Sequence, residues 1–246
     1  MERNRRLSGR LNSTEVPTPD IYLKSPTMKT NTLLHIPFRE GLDGMSLDAV
    51  GNALEEGGAR FSVESLNWPE TFPYRPLTVV TAAHTSEAIY IDFLVRCNYL
   101  RAANYTDNSP VSEDSCVEFY LQPNPSSPHY FTFEFNCIGI LNSAECVAQA
   151  DCRPLSADEL QTIGRYASVG RRPFEEVEGS FIWSVVVAIP LRLLGIRYEG
   201  KPIAMRGNFN KCASATSQPH FLSWAPIDTP EPDFHQPDFF GDIILD

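Results

Sequence analysis

The sequence predicts an all-β fold: an antiparallel β-sandwich with jelly-roll or immunoglobulin-like layering and one short inserted helix. Three observations carry this. Runs such as AIYIDFLVRC, CVEFYL and HYFTFEFNCIGI alternate apolar and polar residues, the period of a half-buried strand. Loops rich in Pro, Asn and Ser separate these runs, as in antiparallel sandwiches. With 246 residues, 42% of them hydrophobic, the chain fits one sandwich with a full core, and 20 prolines against 14 glycines predict long, stiff connections.

Residues 1–30 lack hydrophobic periodicity and are rich in Ser, Thr, Pro and charge, so a disordered tail is expected there, with Met28 as an alternative start. A single domain over 31–246 follows. LLHIPF from Leu33 is the first candidate strand, and SLDAVGNAL (Ser46 to Leu54) is a short helical candidate. In AIYIDFLVRC, Ile89, Ile91, Phe93, Val95 and Cys97 form the buried side, opposite Tyr90, Asp92 and Arg96. Val117, Phe119 and Leu121 do the same in CVEFYL, and Phe131, Phe133, Phe135 and Cys137 in HYFTFEFNC; the short loop QPNPSSP predicts that these two strands pair. In LSADELQTIGRYA, Ser156 and Glu159 have the spacing of a capping box and mark the inserted helix. SFIWSVVVAI is a strand ending at Pro190, LRLLG a helical turn closed by Gly195, and FGDIIL a final strand.

The net charge of −11 and the absence of a basic, aromatic-interleaved stripe argue against nucleic acid as a partner. Arg3, Arg5, Arg6 and Arg10 are followed by no apolar segment, so neither a secretory signal nor a membrane span is expected, and a cytoplasmic location is favoured over export. The six cysteines are expected as free thiols, since a chain of this length needs no staples; Cys146 and Cys152 are the only close pair.

If CVEFYL and HYFTFEFN pair, Glu118, Tyr120, Thr132, Glu134 and Asn136 share one sheet face. That is either a solvated outer face or a set of carboxylate and carboxamide partners for sugar hydroxyls. Trp183 is in phase with Phe181, Val185 and Val187 and reads as core. Trp68 and Trp224 sit in Pro-rich segments, where an indole either covers a pyranose ring or plugs a gap beneath its own loop. His220, His235, Asp228, Asp233 and Asp238 invite a metal reading, but no HxH or HxxxH spacing supports it, and they read better as hydrogen-bonding struts. No DxDxDG calcium loop, GxSxG, HExxH, P-loop or GxGxxG motif is present. Glu118 and Glu134 are the one candidate carboxylate pair for glycoside hydrolysis, which uses separations of ~5–5.5 or ~6.5–9.5 Å.

NWPETFPYRP, AIYIDFLVRC, EDSCVEFYL, YFTFEFNCIG, RGNFNKC and PHFLSWAPIDTPEPDFHQPDFFGDIIL, in that order, resemble the family 9-like carbohydrate-binding modules, in their stand-alone bacterial branch related to the family 9 modules of xylanases. The resemblance covers roughly residues 33–246. It implies a β-sandwich that binds a mono- or oligosaccharide, classically at a reducing end, between aromatic faces, with no required cofactor. Glu118 in DSCVEF stands where the family's DSVE motif has its sugar-binding glutamate, and Trp224 where it has its C-terminal stacking tryptophan; Glu134 and Asn136 match more loosely. Ser112 occupies the place of the first stacking tryptophan, so either Tyr105, Trp68 or Tyr120 replaces it from another position, or the ligand is bound weakly or in a different way. Calcium is common in the xylanase branch and stays an open expectation here, placed on no particular residues. The leading expectation is a non-catalytic sugar-binding protein of carbohydrate catabolism, with a glycoside hydrolase of the same pathway as a candidate partner. A glycoside hydrolase using Glu118 and Glu134 is the second, and an assembly subunit the third.

Overall fold

The alternating runs do form strands, because each can bury its apolar half against a second sheet while its backbone groups pair with neighbours. A computed structural model describes residues 32–246; the tail expected over 1–30 and the alternative start at Met28 lie outside the described residues. In chain order the elements are β1 (Leu33–Ile36), α1 (Leu47–Gly57), β2 (Ala59–Ser62), β3 (Ser65–Leu66), β4 (Leu77–His84), β5 (Ala88–Ala102), β6 (Cys116–Gln122), β7 (Tyr130–Asn136), β8 (Leu141–Ala148), β9 (Asp151–Pro154), α2 (Ala157–Gln161), β10 (Gly164–Ala167), β11 (Phe174–Pro190), β12 (Ile203–Ala213), β13 (His220–Ser223) and β14 (Gly241–Leu245).

They make two sheets. The larger runs β1-β14-β12-β6-β7-β8-β9, with β13 on β12 and β3 on β13; the smaller runs β10-β11-β5-β4-β2. The pairs are antiparallel except β1 with β14, so the C-terminal strand lies beside the first one with its register fixed from Leu33↔Asp242 to Ile36↔Leu245. The core lies between the sheets. Ile89, Ile91, Phe93, Val95 and Cys97 face Val117, Phe119, Leu121, Phe131, Phe133, Phe135 and Cys137 across it, and Trp183 joins them at 1% exposure. The period-2 reading of these strands therefore holds residue by residue.

Three expectations change. First, both helical candidates form among the described residues, but with bounds other than those expected. SLDAVGNAL lies in the eleven-residue α1, whose Val50 and Leu54 pack with Tyr90, Ala83 and Val186 on the outside of the smaller sheet. The inserted helix α2 keeps its capping box, Ser156 with Glu159, but spans five residues. The chain from Gly164 then pairs with Ala188 of β11 as a strand, since the sheet edge satisfies its backbone there. Second, Cys146 and Cys152 are not free: the β8–β9 hairpin sets them opposite each other at a Cα separation of 4.1 Å, and they form a disulfide. Cys97, Cys116, Cys137 and Cys212 are buried free thiols, as small hydrophobes. Third, the polar side of β5 is not open: α1 covers Tyr90 and lies against Asp92, where a Cβ at Gly51 would stand 3.6 Å from Oδ2.

LRLLG is a 3₁₀ turn closed by Gly195 at φ 68°, a left-handed conformation suited to glycine. None of the described helices is long and apolar enough to cross a membrane.

Candidate functional site

The outer face of the larger sheet is built by the residues that alternate with its core side chains. Registers of β12, β6, β7 and β8 place Asn210, Glu118, Glu134 and Asn142 in one row, two carboxyls flanked by two carboxamides. Below it Asn208, Tyr120, Thr132 and Ala144 form the next row, and above it Cys212, Cys116 and Asn136. The sequence brings Glu118, Tyr120, Glu134 and Asn136 together as expected. It misses Asn210 and Asn142, whose place in the row depends on pairings between strands distant in the chain.

This face is not bathed in water. The segment 225–240 folds over it, and Trp68, Phe221, Phe234, Ile227 and Phe240 form a second apolar cluster with Tyr120 and Tyr130. The roof is held down by polar bonds. Trp68 Nε1 donates to the Thr229 carbonyl at 2.7 Å, and Asn67 Oδ1 accepts from the Ile227 amide at 3.0 Å. Asn208 both donates to the Ala225 carbonyl and accepts its amide, each at 2.9 Å. His235 hangs from the roof with Nδ1 2.9 Å from the Tyr130 hydroxyl and Nε2 3.5 Å from that of Tyr120. Asp233 fixes the turn by accepting the His235 amide at 2.8 Å and the Gln236 amide group at 2.6 Å.

The two carboxyls sit in different surroundings. Glu134 accepts from the Tyr120 hydroxyl and from Asn142 Nδ2, both at 2.8 Å; burial pushes its carboxyl up, and these two bonds offset part of that. Glu118 is 1% exposed. Its Oε1 accepts from the Cys212 thiol at 3.0 Å and its Oε2 from Asn210 Nδ2 at a long 3.3 Å. Burial first, then the neighbouring Cys212 and Glu134, drive Glu118 well above the usual carboxylate range. Among the described residues neither carboxyl has a cationic partner. The row closes toward β12 and opens toward β8, where Asn142, Asp233 and His235 are only partly buried.

Other expected site residues are placed elsewhere. Trp224 lies on the opposite side of the sheet from Glu118, in phase with Phe209, so it does not overhang the row. Its indole packs edge-on to Phe209 at 6.0 Å and tilted on Phe61 at 5.7 Å, and a Cβ at Gly241 would meet it at 2.6 Å. Trp68 is 7% exposed and plugs the space beneath the roof. Asn136 is fully buried, donating to the Asn104 carbonyl and Asp114 while accepting the amides of Ile138 and Ile140. Its polar atoms are used in shaping the hairpin. Asp114, the first residue of the DSCVE string, is equally enclosed and caps the amides of Ala103 and Asn104 at 3.0 Å each.

His220 and His235 lie on opposite faces of the sheet. His220 accepts from the Lys211 ammonium at 2.8 Å in the core. Of the aromatics expected to replace a tryptophan at Ser112, Tyr105 is the exposed one, at 66%, beside Asp107, Arg165 and Arg171 in a cleft of about 200 Å³. A cleft of about 390 Å³ lined by His129, Phe131, Glu145, Arg153 and Arg192 opens at the β8–β9 edge, away from the row.

Comparison with known proteins meets this geometry at the level of the family. The sequence profile of carbohydrate-binding family 9 matches residues 48–245. A Bacteroides uniformis protein described as a candidate carbohydrate-binding protein is 31% identical, with a TM-score of 0.81 over 87% of this chain and 99% of that one. A family 9 carbohydrate-binding module from Caldicellulosiruptor kristjanssonii is similar in fold. Its complex with glucose gives a TM-score of 0.55 at 14% identity over 87% of this chain and 95% of that one. Its complex with cellotriose gives 0.53 at 12% over 87% and 93%. No curated protein matches. With the profile spanning most of both sheets and the row built on the strand that carries DSCVE, the chain belongs to carbohydrate-binding family 9.

Proposed function

We propose that the protein binds a mono- or short oligosaccharide without cleaving it, at the open end of the row, where Glu134, Asn142 and His235 present acceptor and donor groups to sugar hydroxyls. The observation that carries this is the register that sets Asn210, Glu118, Glu134 and Asn142 side by side. Glucose and cellotriose, bound by the Caldicellulosiruptor kristjanssonii module, are the first ligands to try. The place of such binding is carbohydrate catabolism, beside a glycoside hydrolase that generates the free sugar ends.

Isothermal titration with glucose, cellobiose, cellotriose, xylobiose and mannobiose tests the reading. Binding heat is expected from at least one, and Glu134→Gln and Asn142→Ala should each weaken it by about tenfold, the effect of losing one good hydrogen bond. No heat from any of them overturns it. The direct pairing of Glu118 with Glu134 also gives the hydrolase reading a foothold. That reading requires one carboxyl at the glycosidic oxygen and the other at the anomeric carbon or its attacking water, whereas Glu118 is enclosed by Cys212 and Asn210. Product released from aryl glycosides by wild type and lost in Glu134→Gln would reverse the preference.

A further inference from the structure

At its closed end the row meets two thiols. Cys116 and Cys212 are register partners on β6 and β12, both free and both buried, one step along the same face from Glu118 and Asn210. Cys212 Sγ is 3.0 Å and Cys116 Sγ 3.9 Å from the same Glu118 Oε1, and the three atoms all lie within 4.8 Å of one another. On a tetrahedral zinc, with Zn–S of ~2.3 Å and Zn–O of ~2.0–2.2 Å, sulfur and oxygen ligands stand about 3.5 Å apart. The observed spacings straddle that value.

A fourth donor is at hand. Asn210 is fully buried and its Oδ1 has no hydrogen-bond partner, while its Nδ2 touches Glu118 Oε2. Turning the amide about its last side-chain bond exchanges the two atoms and presents Oδ1 at the carboxyl.

We propose that Cys116, Cys212, Glu118 and Asn210 form a binding site for a thiophilic divalent cation, zinc first among them. The sulfur content selects against calcium, which takes six to eight oxygens. Binding releases the protons of both thiols, and that of Glu118 where its carboxyl holds one, to solvent; no atom is oxidised or reduced. The site then carries one excess negative charge. The Lys211 ammonium, buried on the other side of the same strand and bonded to the Cys212 carbonyl at 2.7 Å, supplies a nearby positive charge. The cation would also give the enclosed Glu118 the cationic partner it lacks among the described residues. This inference uses the closed end of the row and stands whether or not a sugar binds at the open end.

The test is a cobalt titration of the chelator-treated full chain without a disulfide reductant, so that Cys146–Cys152 stays closed and offers cobalt no second site with His235. One cobalt per chain is expected, with a thiolate-to-cobalt charge-transfer band and the visible bands of a tetrahedral site, both erased by zinc. The pair Cys116→Val with Cys212→Val keeps the buried volume apolar and should abolish the bands; circular dichroism and a melting curve confirm that this variant is folded. Glu118→Gln should weaken cobalt by at least about tenfold, the lower end of what even outer-shell changes cause. Zinc should raise the melting temperature of wild type and leave the Val pair unmoved. Absence of a saturable charge-transfer band in wild type overturns the site. So does a band that persists in the Val pair, which would come from Cys97 or Cys137, or a Cys116–Cys212 disulfide mapped in non-reduced peptides.

Discussion

Asp92 shows how a single residue changes meaning between sequence and structure. Alternation puts it on the polar side of β5, but α1 lies over it, its Oδ1 has no partner and its carboxyl is pushed up to about 6, chiefly by burial and then by Glu55. A raised carboxyl pKa contributes stability below the unfolded value of 3.8 that is lost as pH rises through about 6. Asp92→Asn should therefore stabilise the fold by roughly 1–3 kcal/mol at about pH 8 and by nearly nothing at about pH 4, read from denaturant midpoints. An equal effect at both pH values would show that charge burial is not the cause.

At the scale of elements, Trp224 and the β8–β9 hairpin carry the testable content. Packed between Phe61, Phe209 and Gly241, the Trp224 indole ties the start of the roof to the core. Trp224→Ala should lower stability by about 2–4 kcal/mol, somewhat under the ~3–5 kcal/mol of a fully buried large aromatic because the indole is only partly buried. The tryptophan reading as a sugar platform predicts the reverse, lost binding with unchanged stability, so measuring both separates them. In the hairpin, the Cys146–Cys152 disulfide closes a loop of sequence separation 6 and stands against His235. Replacing both cysteines by Ser should cost roughly 2 kcal/mol on loop-closure grounds. It should also speed hydrogen exchange in the roof segment near His235, an outcome not expected if the hairpin and roof are independent.

For the whole molecule, the pH profile of stability sums groups that pull in opposite directions. His220, deprived of water and then repelled by the Lys211 ammonium, is pushed well below 6.5, and burial lowers His235 as well. A depressed histidine contributes stability above its unfolded value of 6.5 that is lost as pH falls. Glu118 and Glu134, both raised, contribute stability at low pH that is lost as pH rises through their folded values. The melting temperature should thus fall on the acid side of pH 6.5 because of the histidines, and Glu118→Gln should flatten the alkaline side. A variant with wild-type slope there would sink this account of Glu118.

Sequence alone determined the sandwich. A period of two can be read locally, since alternate side chains of a strand must face opposite ways, and so the core faces of β5, β6 and β7 and the pairing of Glu118 with Glu134 were legible in AIYIDFLVRC, CVEFYL and HYFTFEFN. The capping box at Ser156 was equally local. The length of its helix was not, because the edge of β11 captured Gly164 onward. Tertiary structure decided everything that depends on long-range register and layering. β12 slots Asn210 and Cys212 beside β6 and against Glu118, the roof segment covers Tyr120, and Trp224 falls on the core side while Trp68 fills the space under the roof. Whether a polar strand face meets water, a sugar or another part of the same chain is a property of what packs on it, and that is written in pairings more than 90 residues apart, such as Asn210 with Glu118.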